Sequence, residues 1–252
     1  MAVATKKRET LCFLHGWGFD QRIWSDFVDG FPLDDWNVKT PALPGYDGTA
    51  PRVLGMDDVA RSLLTEVPDD SILVGWSLSG MIGIRIASLK TIRKLILLAS
   101  SPCFVKKNDW PCGTGAVLVE GLMKRIQDDP DRALQEFALL SSKGDGIPRA
   151  TCQVLSALLT KSRAHTRALI DGLAMLLHTD LRGEFSGLRC KSGVILATND
   201  RLLPVAAGAA MLSLHPSMEL KVIEGAGHAP FISRPDETRR TLLSMLKSGI
   251  SG

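Results

Sequence analysis

The heptapeptide VGWSLSG, residues Val74 to Gly80, follows a short apolar run and precedes a segment of helical period. It almost matches Gly-x-Ser-x-Gly, a pattern typical of a sharp turn from a strand into a helix that exposes a serine hydroxyl. Ser79 stands where the second glycine is usual, and the glycine comes one residue later. Ser77 and Ser79 therefore compete for the position of a nucleophile.

Ser77 fits such a turn better than Ser79 does. Ser77 comes almost directly after the apolar run, whereas Ser79 would already lie inside the helix. The residues two before and two after the serine must be small, because strand and helix approach each other closely. Around Ser77 these are Gly75 and Ser79, whereas Met81 would be one of them around Ser79. An ordinary serine at a strand end has the same local sequence, so the interpretation depends on the rest of the chain.

Short apolar runs alternate along the chain with longer segments of helical period. This alternation is typical of a parallel sheet whose strands are joined by crossover helices. The predicted strands are Leu11–Leu14, Val38–Leu43, Ile72–Val74, Lys94–Ala99, Val194–Ala197 and Leu220–Ile223. The predicted helices between them are Asp57–Glu66, Leu78–Leu89, Pro204–Leu214 and Pro235–Leu246. The pattern predicts an α/β fold, with a mainly parallel sheet flanked by helices.

One interval between predicted strands is much longer than the others. About 90 residues separate the strand near Leu97 from the strand near Ile195, far more than a single crossover requires. The interval holds further segments of helical period, Val117–Ile126, Arg132–Leu140, Thr151–Leu159 and His165–Leu177. We therefore expect residues 1–104 and 186–252 to form the core and residues 105–185 to form an inserted helical cap.

Two later strands end in side chains that would complete a catalytic site around Ser77. The run Val194–Ala197 is followed closely by Asp200, and the run Leu220–Ile223 is followed by a glycine-rich turn and His228. Parallel strands bring their carboxyl ends to one edge of a sheet, so these side chains should meet there. A serine nucleophile needs a base and an orienting carboxylate, the roles predicted for His228 and Asp200. The alternative for Asp200 is a helix cap.

The loop His15-Gly16-Trp17-Gly18 directly follows the first predicted strand. Such a loop can present a backbone N–H opposite the N–H of the residue after the nucleophile. We therefore predict the amides of Trp17 and Leu78 as hydrogen-bond donors to a developing oxyanion. A plain glycine turn is the alternative explanation of this loop.

Composition and motifs argue against several other classes of function. The chain has 30 Lys and Arg against 27 Asp and Glu, so its charge does not indicate a nucleic-acid-binding protein. The five cysteines are scattered, and the chain contains no Cys-x-x-Cys pair, Walker loop or His-Glu-x-x-His motif. We therefore expect neither a metal nor a cofactor.

The apolar runs are too short for a signal-peptide core or a membrane span. The first of them, Leu11–Leu14, has only four residues, and a membrane span needs about 20. We therefore expect a cytoplasmic monomer that does not bind membranes.

Taken together, the motifs resemble those of the pimeloyl-acyl-carrier protein methyl ester esterases of biotin synthesis, within the α/β-hydrolase superfamily. The likeness to the superfamily rests on His15-Gly16, the turn at Ser77, Asp200-Arg201-Leu202-Leu203-Pro204 and Gly227-His228. The likeness to the narrower family rests on Leu14-His15-Gly16-Trp17-Gly18, Leu43-Pro44-Gly45-Tyr46, Gly75-Trp76-Ser77-Leu78, Ala99-Ser100-Ser101-Pro102-Cys103-Phe104, Trp110-Pro111 and His228-Ala229-Pro230-Phe231-Ile232-Ser233.

The resemblance implies hydrolysis of a methyl ester at the far end of a seven-carbon chain that is carried on acyl-carrier protein, with release of methanol. It implies that Ser77, Asp200 and His228 are catalytic. The substrate contacts that it implies are Trp17, Ser77, Leu78, Phe137, Ala138, Leu139, Leu140, Ser141 and His228.

In this family, arginines on the cap meet the acidic carrier protein. Arg132 and Arg149 occupy matching positions here, whereas Glu136 and Gln153 occupy two others. Independently of the resemblance, residues 143–170 contain five Lys and Arg but a single Asp, an excess that would steer an anionic partner. A solvated helix face explains this excess equally well.

Two other functions fit the same residues. One is a general carboxylesterase for short acyl esters, with the same triad and a more open pocket. The other is a non-catalytic receptor that binds a small molecule under the cap. The complete set of Ser77, Asp200 and His228 favours an enzyme over a receptor.

Overall fold

The protein is described here by a computed structural model that covers residues 8–32, 35–48 and 54–247. Its centre is a parallel sheet with the strand order β2-β1-β3-β4-β5-β6. The strands are β1 Glu9–Leu14, β2 Trp36–Lys39, β3 Ile72–Trp76, β4 Lys94–Leu98, β5 Lys191–Ala197 and β6 Glu219–Ile223. The predicted α/β fold is therefore confirmed.

Helices lie between the strands and after the last one. They are α1 Ser25–Asp29, α2 Met56–Ser62, α3 Leu78–Leu89, α4 Ala116–Asp128, α5 Pro130–Ser142, α6 Pro148–Lys161, α7 Thr166–His178, α8 Arg182–Ser186, α9 Ala207–Leu214, α10 Pro230–Ser233 and α11 Pro235–Lys247. A short 3-10 turn, Gln21–Trp24, precedes α1.

The central strands are buried along their whole length. Every residue of β3 and of β4 is buried, as expected for strands that have helices on both faces and neighbours on both sides. A fully buried Leu, Ile or Val side chain stabilises the fold by roughly 1.5–3 kcal/mol. These strands are therefore the rigid base from which the loops at their carboxyl ends project.

The predicted second strand is wrong in its position. The apolar run Val38–Leu43 suggested a strand there, but β2 is Trp36–Lys39. Pro41 lacks an N–H to donate to the sheet and therefore favours an end to the pairing before it. The helix predicted over Asp57–Glu66 also ends earlier, at Ser62, and continues only as turns.

Four helices, α4 to α7, fill the long interval between β4 and β5. Helix α4 packs against α5 and α7, and α5 packs against α6. Helix α5 begins where the Asp129 carboxylate accepts the Arg132 N–H at 3.0 Å, with Pro130 at the first helical position. The α5–α6 connection contacts the loop after β6 through the Gly146 N–H, which donates to the Gly225 carbonyl at 2.9 Å. These helices therefore lie against the edge of the sheet where the predicted site residues meet.

Candidate active site

Ser77 lies at the turn between β3 and α3, with an unusual backbone conformation. Its φ is 56° and its ψ is −119°, a region that residues with a side chain rarely adopt and that costs roughly 1–3 kcal/mol. The turn is held by the Ser77 N–H, which donates to the Leu98 carbonyl at 2.9 Å, and by the Ser100 hydroxyl, which donates to the Ser77 carbonyl at 2.6 Å. The surrounding strands thus hold a strained turn that points the serine hydroxyl off the sheet edge.

Gly75 is required by the close approach of strand and helix at this turn. A Cβ atom at position 75 would lie 2.2 Å from the main-chain oxygen of Ser79, far inside van der Waals contact. The sequence analysis expected small residues on both sides of Ser77 for this reason. Ser79 meets the requirement because its side chain leaves the turn in another direction, toward the carbonyl of His15.

Ser77, His228 and Asp200 form one chain of hydrogen bonds. His228 Nε2 lies 2.8 Å from Ser77 Oγ, and His228 Nδ1 lies 2.7 Å from Asp200 Oδ2. The carboxylate accepts the proton of Nδ1, which leaves the Nε2 lone pair to accept the hydrogen bond from the serine hydroxyl. Of the two competing serines, Ser77 is the one that contacts the histidine.

Asp200 is held by main-chain donors as well as by the imidazole. Its Oδ1 accepts the N–H groups of Leu202 at 2.7 Å and Leu203 at 2.9 Å, while its Oδ2 is left for His228. The two interpretations of Asp200 in the sequence analysis, a triad acid and a cap for the following turn, are therefore both true. Its carboxylate cannot rotate without breaking these bonds, so the imidazole keeps one orientation.

The comparison with known proteins gives the family. A family model described as "Alpha/beta hydrolase family" matches residues 13–241, which is most of the chain. The chain belongs to the alpha/beta hydrolase family. The elbow at Ser77 and the chain order of the serine, the aspartate and the histidine are typical of this family.

Individual relatives of this hydrolase are also esterases by name. A pimeloyl-acyl-carrier protein methyl ester esterase from Aromatoleum aromaticum is 34% identical over 238 residues, which cover 91% of this chain and 95% of that protein. A biotin biosynthesis bifunctional protein from Teredinibacter turnerae is 34% identical over 257 residues, or 95% of this chain and 45% of that protein. An esterase from Exiguobacterium antarcticum has the same fold, with a TM-score of 0.84 at 20% identity over 95% of this chain and 92% of that one.

The main chain of His228 is bound on both sides in this hydrolase. Its N–H donates to the Ser141 carbonyl at the end of α5, at 3.1 Å, and its carbonyl accepts the Trp76 indole N–H at 2.9 Å. The His228 side chain has no solvent exposure. The proposed base is therefore placed by the sheet, through Trp76, and by the α4–α7 helices, through Ser141.

The two amides predicted as oxyanion donors lie on either side of the Ser77 turn. Leu78 is the first residue of α3, where a helix leaves its N–H groups without partners. Within the described residues, no hydrogen bond uses the N–H of Trp17 or of Leu78. The Trp17 indole N–H donates to the Leu169 carbonyl of α7 at 2.7 Å, so the loop that carries one predicted donor is attached to the helices above it.

Ser77 faces a small apolar cavity of about 20 Å³, room for about one water molecule. Apart from Ser77, the residues around it are Trp17, Phe104, Leu118, Val119, Leu122, Phe137, Leu173, Leu176 and Leu202. The sequence analysis missed most of these. Leucines at helical spacing on α4 and α7 are indistinguishable in sequence from ordinary core residues, so only their packing identifies them.

Helix α5 brings part of the predicted segment 137–141 to this cavity. The Phe137 ring lies edge-on to Trp17, with ring centroids 4.8 Å apart. Leu139, in contrast, is 60% exposed and lines a separate groove. Successive residues of a helix point about 100° apart, so five in a row cannot all face one site. The remaining two, Ala138 and Leu140, do not line the cavity either.

The cap arginines differ in their surroundings. Arg132 is 76% exposed and lies 3.5 Å from the Glu136 carboxylate, which also pairs with Arg125 at 2.7 Å. Arg149 lies with Lys143 beside an open groove of about 810 Å³ between α5 and α6. In the part of the chain that the structure describes, neither Arg149 nor Lys143 takes part in an ion pair. The negative charge of Glu136 thus reduces the local positive potential at Arg132 but not at Arg149.

Two searches of the described residues gave no result. Over residues 8–32, 35–48 and 54–247, no three His, Cys, Asp or Glu side chains lie together as a metal site would require. Among the helices of the same ranges, none is both long enough and apolar enough to cross a bilayer.

Proposed function

We propose that this hydrolase cleaves the methyl ester of pimeloyl-acyl-carrier protein in biotin biosynthesis. The observation that carries the proposal is the hydrogen-bonded series Ser77–His228–Asp200 facing an apolar cavity. The name of the Aromatoleum aromaticum relative, which matches nearly its whole length, supports this choice of substrate. All five cysteines are free thiols, which is compatible with action in the reducing cytoplasm.

In the first half of the reaction, Ser77 Oγ attacks the ester carbonyl carbon. His228 Nε2 takes the serine proton as the new C–O bond forms, and the Asp200 carboxylate stabilises the imidazolium. The tetrahedral intermediate then breaks its bond to the methoxy oxygen. That oxygen receives the proton from His228 and leaves as methanol, so the acyl group is left esterified to Ser77.

In the second half, water takes the place of the serine. His228 removes a proton from a water molecule, which attacks the acyl-enzyme carbonyl, and the proton is returned to Ser77 Oγ as the enzyme ester breaks. The product is the free carboxylate at the end of the carried chain. In both halves the charge on the carbonyl oxygen is stabilised by the proposed donors, the Trp17 and Leu78 amides.

The lining of the cavity fits an aliphatic acyl chain. The side chains around Ser77 are hydrophobic, among them Phe104, Leu122 and Phe137, and they would favour methylene groups over polar ones. A cavity of about 20 Å³ is too small for a seven-carbon chain. We therefore propose that residues 105–185 act as a cap whose helices move apart to admit the substrate.

The carrier protein is acidic, so its docking would depend on the cations of the cap. We propose that Arg149, with Lys143 beside it, contributes more than Arg132, whose charge is partly balanced by Glu136. Exposed charges act over about 8 to 10 Å at ordinary ionic strength. Their main effect would be on the rate at which the carrier protein associates.

The proposed substrate is tested by comparing a carrier-bound methyl ester with a small chromogenic ester. We expect Arg149→Glu to raise the KM for the carrier-bound ester by roughly tenfold and Arg132→Glu by less, with both variants unchanged on the small ester. Arg189→Glu, which reverses an exposed charge outside the cap, is the matched control. Added salt should reduce the preference of the parent protein for the carrier-bound ester.

A second test uses a biotin-requiring bacterial strain that lacks its own methyl ester esterase. The parent gene should restore growth without biotin, and Ser77→Ala should not. If the protein hydrolyses small esters but neither restores growth nor hydrolyses the carrier-bound ester, it is a general carboxylesterase. If no ester is turned over beyond one equivalent, the receptor alternative is correct.

A further inference from the structure

The Ser79 hydroxyl has no part in the reaction described above, although it lies two residues from the nucleophile. The Ser79 side chain is fully buried in the first turn of α3. Its hydroxyl donates a hydrogen bond to the main-chain carbonyl of His15. Glycine, the usual residue at this position of the elbow, could not make such a bond.

The loop that receives this bond is also held by the His15 side chain. Burial lowers the pKa of His15 to about 4, so the imidazole is neutral near pH 7. Its Nε2 accepts the Leu43 N–H at 3.0 Å, and its Nδ1 lies 3.0 Å from the Gly16 carbonyl, to which it donates. On the far side of the loop, the Tyr46 hydroxyl accepts the Gly18 N–H at 3.4 Å.

The Ser79–His15 bond connects the two segments that carry the proposed oxyanion donors. Leu78 immediately precedes Ser79 in α3, and Trp17 follows His15 by two residues in the loop. The distance between the two donor amides therefore depends on how closely the loop is held to α3. Among the described residues, Ser79 is the only side chain of α3 that hydrogen-bonds to the loop 15–18.

We propose that Ser79 is a positioning residue of this hydrolase. Its hydroxyl holds the Trp17 amide at the distance from the Leu78 amide at which both bind the oxyanion of the transition state. The proposal rests on the proposed ester hydrolysis, with those two amides as donors. It involves no bond to the substrate, since the Ser79 hydroxyl donates to a main-chain oxygen of the protein.

Loss of this bond should affect the transition state more than the bound substrate. Oxyanion donors act where charge develops during the reaction, so a misplaced donor lowers kcat and leaves KM almost unchanged. Deleting a donor outright costs a factor of 10² to 10³ in kcat. A donor that is present but displaced should cost less, about tenfold, which corresponds to about 1.4 kcal/mol.

The test uses Ser79→Ala and Ser79→Gly, both of which remove the hydroxyl. Glycine is the residue that the elbow usually contains, so at least one of these variants is expected to fold. The matched control is Ser88→Ala in the same helix, which removes an exposed hydroxyl that donates to the Arg85 carbonyl at 2.8 Å. Hydrolysis of a small chromogenic ester is measured per active site, with the sites counted by a fluorophosphonate that labels the serine.

We expect kcat per active site to fall about tenfold in both Ser79 variants, with KM within twofold of the parent value and the control unchanged. An alkyl boronic acid, whose tetrahedral adduct places an oxygen between the donors, should bind about tenfold more weakly. Combination with Tyr46→Phe, which loosens the other side of the loop, should give a non-additive loss of kcat. A role in stability alone would lower the number of active sites without changing any of these quantities.

Three results would overturn the proposal. They are a kcat per active site within twofold of the parent, unchanged binding of the boronic acid, and a loss above about 10⁴-fold, which would give the Ser79 hydroxyl a part in the chemistry itself. Because the small ester is the substrate, the outcome is independent of the carrier protein. Failure on the carrier-bound ester alone would refute the proposed substrate and leave the result for Ser79 standing.

Discussion

The buried histidine of the loop after β1 should make the protein less stable in mild acid. His15 has no solvent exposure, and burial lowers its pKa from the ordinary 6.5 to about 4. In the folded protein its Nε2 must stay unprotonated to accept the Leu43 N–H. Between these two pH values the unfolded chain binds a proton at this residue and the folded protein does not.

The sign and the size of the effect follow from this difference in bound protons. Stability rises with pH wherever the unfolded state binds more protons, so the free energy of unfolding should decrease as the pH falls from about 6.5 to about 4. The two pKa values differ by about 2.5, and each pH unit corresponds to 1.36 kcal/mol, so the total loss is roughly 3 kcal/mol. Below pH 4 this contribution is constant.

Acidic groups lose their contribution in a different range of pH. Hydrogen bonds from Arg182 and Lys107 hold the pKa of Asp180 well below its ordinary 3.8. A lowered carboxylate pKa contributes stability that is complete above the unfolded value and is lost as the pH falls further. The range from pH 6.5 to pH 4 therefore reports mainly on histidines.

Urea unfolding at pH 7, 6, 5 and 4.5 measures the prediction. The free energy of unfolding of the parent should fall more steeply than that of His15→Gln, which has no titrating ring. His178→Gln, which removes an exposed histidine, should keep the slope of the parent. The imidazole resonances of His15, followed by NMR in the parent alone, should titrate near pH 4. Equal slopes for the parent and His15→Gln, or a His15 titration near pH 6.5, would refute the reasoning.

The remaining predictions concern the nucleophile and the cap. Ser77→Ala should lower kcat by at least 10³-fold and leave the far-UV circular dichroism spectrum unchanged; retention of ester turnover would rule out Ser77 as the nucleophile. Gly172→Ala would place a Cβ atom 2.6 Å from Trp17 Cδ1, so α7 must shift, with an expected loss of about 1–3 kcal/mol in urea unfolding and a lower kcat. Gly183→Ala has open space at its Cβ and should instead stabilise the protein by about 0.4–1 kcal/mol; equal effects of the two substitutions would show that the contact with Trp17 does not matter.

Local sequence was sufficient for the elements around the proposed nucleophile. The predicted helix Leu78–Leu89 has the bounds of α3, and the strand before it begins at Ile72 as predicted. Both are strongly apolar, and the glycine at position 75 marks the only kind of backbone that fits the turn. Where the local signal was mixed, as in Val38–Leu43, the prediction of β2 was wrong because an apolar run does not say where sheet pairing stops.

The chain order of Ser77, Asp200 and His228 was also readable in the sequence, since parallel strands carry the residues that follow them to the same edge. Which atoms meet there was not. His228 and Ser77 are 151 residues apart, and their 2.8 Å contact depends on a sheet register and on loops whose conformations are set by distant partners.

The sequence by itself therefore determined the fold class, the position of the elbow and the residues able to react, because these depend on residue type and on period along the chain. Only the tertiary structure decided that the Ser79 hydroxyl binds the His15 carbonyl, that Phe137 faces the cavity and that Leu139 faces outward. A helix presents every direction around its axis in turn. Which of those directions is buried depends on the neighbouring element that packs against it, and a neighbour far away in the chain leaves no trace in the local sequence.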